Sequence, residues 1–269
     1  MNTKPATSPA VIAKLEKARA ALDGRSPRQI GAEKQRIALD WIYRWGWSSP
    51  TLLDAATGGA RSGISARLIK NRLLVATATE GSGVKGTPNR ILTLTPTGLD
   101  ETERHCLNLI NYEIDPYRID QTKLRHDGLA QQATAKALKS KSIISFKTPK
   151  ELAAKSTKET KQPDVLWITD DGLRIGIEVE LSAKWERKLD QFVHGCLISL
   201  SPNHRDRINS VDEIYLITDS NAIIKRYSAA FTPGKEYDLW KKNERGFWVK
   251  NSDYKVPDWV KGKITCQLM

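Results

Sequence analysis

The stretch from Pro163 to Glu180 has few options other than a β-hairpin. Two apolar-rich runs, 164–169 (DVLWIT) and 173–180 (LRIGIEVE), flank Asp170-Asp171-Gly172, a three-residue turn with glycine at the left-handed position. A turn of that length pairs Thr169 with Leu173, and counting outward sets Asp164 opposite Glu178. Side chains alternate along a strand, so Glu180 shares their face. Like charges set opposite each other destabilise a sheet, so three carboxylates at one hairpin end imply a compensating cation. Mg²⁺ or Mn²⁺ suits oxygen donors, which makes Asp164, Glu178 and Glu180 the candidate metal ligands. A slip of one residue in the turn would undo the convergence. The alternation of Leu173, Ile175, Ile177 and Val179 with Arg174, Gly176, Glu178 and Glu180 is also what a half-solvated strand needs. Leu166 and Ile168 lie on the face of Asp164, however, so that face is not simply wet surface.

The chain supplies that cation with a plausible counterpart. Its 269 residues carry 43 Lys+Arg against 31 Asp+Glu, a net charge of +12, which favours a polyanion whose condensed counterions are released on binding. The length allows one large or two ordinary domains. No apolar run approaches the ~20 residues of a membrane span, and the N-terminus lacks the pattern of a secretory signal. Cys106, Cys196 and Cys266 are odd in number and far apart, with no zinc spacing, so free thiols and a reducing cytoplasm are expected. No phosphate loop of the GxxxxGK[ST] type, no Ser/His/Asp arrangement and no HxH pair is present. His105, His194 and His204 stand in no motif.

Residues 1–29 read as a tail leading into a helix. From 31 to 46, Ile37, Trp41 and Trp45 follow one helical face, with Ala38 and Ile42 beside them. Ser48-Ser49-Pro50 opens a second helix, which Gly58-Gly59 ends. A third, about 62–71, turns Ile64, Leu68 and Ile69 inward. Two β-rich segments, 73–79 and 90–95, flank a Gly-rich loop. Three helices and a two-stranded wing, closed by Leu94-Thr95-Pro96-Thr97-Gly98, resemble a winged helix-turn-helix over residues 30–105. The resemblance implies a recognition helix presenting Arg61, Ser65, Arg67, Lys70 and Arg72 to a major groove, with Lys85 and Arg90 in the wing. Such a module can instead pack on a second domain or a protein partner.

Over 120–269 the order becomes α-β-β-β-α-β: a helix at 126–139, strands at 142–147, 164–169 and 173–180, a helix at 182–198, a strand at 213–218 and a helix at 220–230. The segment 150–161 reads as an exposed Lys/Thr-rich loop. The fold class is therefore α/β (α+β). With Pro163-Asp164 and Glu178-Val179-Glu180 inside it, this order resembles the PD-(D/E)xK restriction-endonuclease-like superfamily. The usual third residue is Lys, and here it is Glu180. Members without that Lys often carry it on the next helix, which makes Lys184 or Lys188 the candidate.

A narrower resemblance is to the MobC-type plasmid mobilisation relaxases, which join a winged helix to such a core and carry a His on the preceding helix, here His126. It implies nicking of one strand at a plasmid transfer origin, on double-stranded DNA with a melted region, together with a coupling protein and accessory relaxosome proteins. One copy of the chain would suffice. The alternatives are a non-catalytic DNA-binding regulator or replication protein, for which Glu180 in place of Lys speaks, and a double-strand-cutting restriction or transposition endonuclease. Beyond 231, Trp240, Trp248 and Trp259 alternate with lysines. Such a pattern can stack on single-stranded bases; peripheral strands with Lys stems over Trp faces are the preferred reading.

Overall fold

Ser26 starts the first described helix with a reciprocal cap. Its hydroxyl accepts from Gln29 N at 3.2 Å, and Gln29 Oε1 accepts from Ser26 N at 2.7 Å, two donors satisfied where a helix would otherwise leave them bare. The computed structural model describes residues 13, 24–59, 63–81, 83–153, 161–204 and 210–269. From Ser26 run α1 (Pro27–Trp45), α2 (Pro50–Ala56, capped by Ser49), α3 (Ile64–Lys70), and the antiparallel strands β1 (Leu74–Ala78) and β2 (Arg90–Leu94). Ile64 and Leu68 are buried as expected, but Ile69 is exposed. It falls on the outer side of a helix only seven residues long, where a third inward position has nothing to pack against.

The Thr95-Pro96-Thr97-Gly98 turn has a steric reason. Thr95 donates its hydroxyl to Arg72 O at 2.6 Å and caps α4 (Pro96–Glu103) by accepting from Gly98 N at 3.1 Å. That brings Gly98 against the backbone just ahead of β1: a Cβ there would lie 2.0 Å from Leu73 O, so only glycine fits.

The rest is mixed α/β. Helix α5 (Leu124–Lys139) precedes β3 (Ser145–Lys147), a short α6 (Pro149–Ala153), β4 (Val165–Ile168), β5 (Arg174–Val179), α7 (Glu186–Leu200), β6 (Glu213–Thr218), α8 (Asn221–Ala230), the hairpin β7 (Glu236–Lys242) and β8 (Trp248–Lys255), and β9 (Ile264–Leu268). That makes eight α-helices among the described residues. The central sheet has the order β3-β4-β5-β6-β9. Its first three strands are antiparallel, and β5, β6 and β9 run parallel. The β5-to-β6 crossover uses α7, as a parallel connection requires.

One core joins α1, α2, α3, β1 and β2 to α5 and one sheet face, through Trp41, Ile42, Leu68, Ala133, Phe146, Trp167 and Ile177. The other sheet face is covered by α7 and α8, with Leu166, Phe192, Leu216 and Tyr227 buried between. Buried Gln131 of α5 pins the two halves together. Its Oε1 accepts from Trp41 Nε1 and the Ser48 hydroxyl, both at 2.9 Å, and its Nε2 donates to Trp47 O at 3.0 Å. No helix is long and apolar enough to cross a membrane among the described residues.

Candidate active site

The hairpin register is the one the turn chemistry dictates. Gly172 takes φ +85°, Thr169 N donates to Leu173 O at 3.1 Å, and Ile168 pairs with Arg174 and Val165 with Ile177. Asp164 extends that register opposite Glu178, its N–H on Ile177 O at 2.9 Å. Its Oδ2 accepts from Val179 N at 2.8 Å, which fixes the carboxylate against the neighbouring strand. Glu178 and Glu180 share a face, as expected, but that face is deeply buried: they are 4% and 5% exposed.

Each carboxylate has its own cation. Asp164 Oδ2 stands 3.2 Å from His126 Nε2, and His126 Nδ1 is 2.9 Å from Asp127 Oδ1. Burial would lower the His126 imidazolium, but Asp127 and Asp164 outweigh it and push its pKa up to about 10. Burial would raise Asp164; His126 and then Lys161 hold it below the ordinary carboxylate range instead. Glu178 accepts from the Lys161 ammonium. Burial lifts Glu178 to about 7 against the pull of Lys161, so near neutral pH it is poised between acid and carboxylate. Lys161 itself loses affinity for its proton by burial and regains more from Glu178, ending above its usual value. Glu180 accepts from the Lys184 ammonium and from the Tyr227 hydroxyl, the latter at 3.1 Å. The Phe192 ring lies 5.0 Å from Lys161 Nζ and 4.6 Å from Lys184 Nζ, a cation–π platform between the two ammonium groups.

These pairings correct the expected three-carboxylate cluster. Among the described residues no group of three or more His, Cys, Asp or Glu side chains is placed to hold a metal ion, because each carboxylate turns to its own partner. The donor set that suits a divalent ion is the pair Asp164 and Glu178. Their backbones are opposite in the hairpin register, the Asp164 charge helps to raise the Glu178 pKa, and a further cation would relieve that rise. Glu180 is committed to Lys184 and Tyr227.

The lysines also differ from expectation. Helix α7 begins at Glu186, not at 182, so Lys184 lies in the preceding turn and does not share a helix face with Lys188. The cause is local: Trp185 is extended and Glu186 takes φ +42°. Lys184 reaches Glu180, while Lys188 is exposed. Lys161, read as part of an exposed loop, is the residue that sequence reasoning missed. Its signal was its place three residues before Asp164, within reach of a long side chain.

Of the candidate DNA contacts, Ser65 is half-buried, and Lys70, Arg72, Lys85 and Arg90 are exposed. Arg67 is exposed but donates to Gly31 O at 2.9 Å, so it ties α3 to α1. Arg61 lies outside the described residues. The loop between β1 and β2 comes back to the hairpin end of the molecule: a Cβ on Gly86 would lie 3.1 Å from Arg125 Nε. Arg125 precedes His126 and pairs with Asp219. Lys85 thus sits on a loop that touches the helix carrying His126.

No known protein family, curated protein or solved structure matches the chain. The site must be read from its own chemistry. Within it, half-buried Asp164 and buried Glu178, an imidazolium held between two carboxylates and two ammonium groups lie around one hairpin end. Such a set can bind a hard cation and a phosphate side by side.

Proposed function

We propose that the protein is a metal-dependent DNA endonuclease that nicks one strand. In this reading residues 30–105 are a winged helix-turn-helix that engages the duplex, and residues 120–269 are a restriction-endonuclease-like core that cuts it. The observation that carries it is Asp164 set opposite Glu178, with His126 and Lys161 against them. Asp164 and Glu178 are the donors that would hold Mg²⁺ or Mn²⁺, whose chemistry at such a site is Lewis-acid polarisation of a phosphate. Lys161 and Lys184 put positive charge where a phosphodiester gains negative charge on its way to cleavage. His126 acts as a positioning residue: it holds a proton at Nε2 and orients Asp164, while Asp127 orients His126.

The relaxase form of this reading, a nick at a plasmid transfer origin made with a coupling protein and accessory factors, draws on the resemblance to MobC-type proteins. The position of His126 supports it, since that resemblance calls for a His on the helix before the core. Lys85, on a loop that touches Arg125, supports a duplex lying across both halves. One observation favours a second reading, a non-catalytic DNA-binding regulator: every carboxylate of the set already has a cation within the chain.

A supercoiled plasmid bearing the candidate origin, incubated with Mg²⁺, Mn²⁺ or EDTA, separates them. Metal-dependent open circles that disappear in Glu178→Ala, with DNA binding retained, support the nickase. Linear product points to a double-strand cutter. Intact supercoils with binding retained leave the regulator.

A further inference from the structure

The turn into α7 puts an indole where an ordinary fold would not leave one. Trp185 is 62% exposed, immediately after Lys184, whose ammonium reaches Glu180. The next residue, Glu186, adopts a left-handed φ of +42°, a conformation that is strained for a non-glycine residue and persists only where surrounding structure enforces it. The Arg226 guanidinium lies over the Trp185 ring, 3.0 Å from its centroid, and Arg226 also donates to Lys184 O at 3.5 Å. Farther along the same helix turn, Arg187 lies 4.5 Å from the centre of the Trp248 ring, with Lys242 on that ring at 5.5 Å. Trp248 is 40% exposed and its neighbour Phe247 is 67% exposed. The β7–β8 hairpin that carries them is fastened to α7 by Trp240 Nε1, which donates to Asp190 Oδ2 at 2.8 Å.

We infer that Trp185, Phe247 and Trp248, with Arg226, Arg187 and Lys242, form a binding strip for single-stranded DNA. Exposed aromatic rings interleaved with guanidinium and ammonium groups match the two surfaces of a single strand: base faces that stack without regard to sequence, and phosphates that seek cations. A duplex hides its base faces, so the aromatic half of the strip would be wasted on it. An acidic peptide would use the cations and leave the rings in water. The strip starts one residue from Lys184 and so would receive a strand leaving the Asp164–Glu178 pair. In that placement the inference rests on the nuclease reading, although the binding itself does not.

The test is anisotropy of a labelled oligo-dT titrated with the full chain in EDTA, beside a matched duplex and oligo-rU. Stacking on one ring is worth ~1–3 kcal/mol per base, so Trp185→Ala is expected to weaken dT binding about tenfold, with Trp185→Phe restoring most of it. Phe247→Ala gives an independent loss, and circular dichroism of both variants confirms that they fold. Binding of dT by Trp185→Ala and Phe247→Ala at wild-type strength overturns the strip, as does a wild-type preference for duplex or for rU over dT. Glu178→Ala keeps the two ideas apart. If that variant and the wild type both bind dT through Trp185 while neither nicks DNA, the strip stands and the nuclease reading fails.

Discussion

His126 Nε2 stands 3.2 Å from Asp164 Oδ2, so the helix ahead of the central sheet delivers a charged imidazole to the first carboxylate of the hairpin. His126 has its pKa raised to about 10. A raised pKa on a basic group stabilises the fold fully below the unfolded value, about 6.5, and that contribution is lost as pH rises through about 10. The lowered pKa of Asp164 contributes above its unfolded value and fades in acid. In EDTA, the stability difference between wild type and His126→Ala should therefore be largest near pH 5–6.5, shrink through pH 8–9 and vanish above about 10. Urea midpoints across that range check it, and a pH-independent difference would count against the pairing.

Metal affinity should rise with pH. Glu178 must lose its proton to act as a ligand, and burial holds its pKa at about 7. Apparent Mn²⁺ affinity should climb roughly tenfold per unit below pH 7 and level off above it. Calorimetric titration at pH 6, 7 and 8 reads this directly. Glu178→Gln should bind weakly at every pH, and a flat wild-type profile would remove Glu178 from the donor set.

Lys161→Met removes the ammonium that Glu178 faces. Breaking a buried pair by deleting one partner typically costs about 3–5 kcal/mol, but Glu178 can escape by keeping its proton. With Glu178 held at about 7 in the wild type, the loss of stability should therefore be larger at pH 8 than at pH 6 by about 1.4 kcal/mol, the equivalent of one pH unit of proton linkage. Thermal unfolding at the two pH values distinguishes this from a pH-independent packing defect.

Gln131→Leu leaves Trp41 Nε1, the Ser48 hydroxyl and Trp47 O without their buried partner. Each unmet group costs about 1–3 kcal/mol, so a total of about 2–4 kcal/mol is expected after relaxation. Chemical denaturation measures it. A loss under ~1 kcal/mol would mean that water replaces the amide.

The hairpin register was legible because a glycine-containing turn and strand alternation fix it locally. The Ser49 cap of α2 was equally plain. So was the Thr95–Gly98 turn, although the reason for its glycine, the closeness of Leu73 O, needed the fold. What escaped the sequence depends on distant partners. Glu178 and Glu180 share a face, as alternation demands, yet each carboxylate is drawn to its own cation, Asp164 to His126 of α5 and the two glutamates to lysines flanking the hairpin, and no periodicity reports that. Lys161 hid in a Lys/Thr-rich run whose composition says loop. The start of α7 was misjudged because apolar spacing continues smoothly through residues 182–185, where the backbone turns first. The Ser26–Gln29 cap was in plain view but lay ahead of the apolar pattern. Strand β9 gave no warning of its place beside β6, a pairing that only the sheet's other edge could require.

That last pairing bears on how the molecule is made. The β4–β5 hairpin closes between neighbours, whereas β6 receives β9 with Ile214 beside Ile264, fifty residues on. Local contacts form early and distant parallel ones late. On that ordering Asp164 and Glu178 are expected to meet while still hydrated, with Glu178 losing its water as β6 and α7 pack over it. The unfavourable act of drying a carboxylate is deferred to the final assembly, after the geometry that will use it has been drawn.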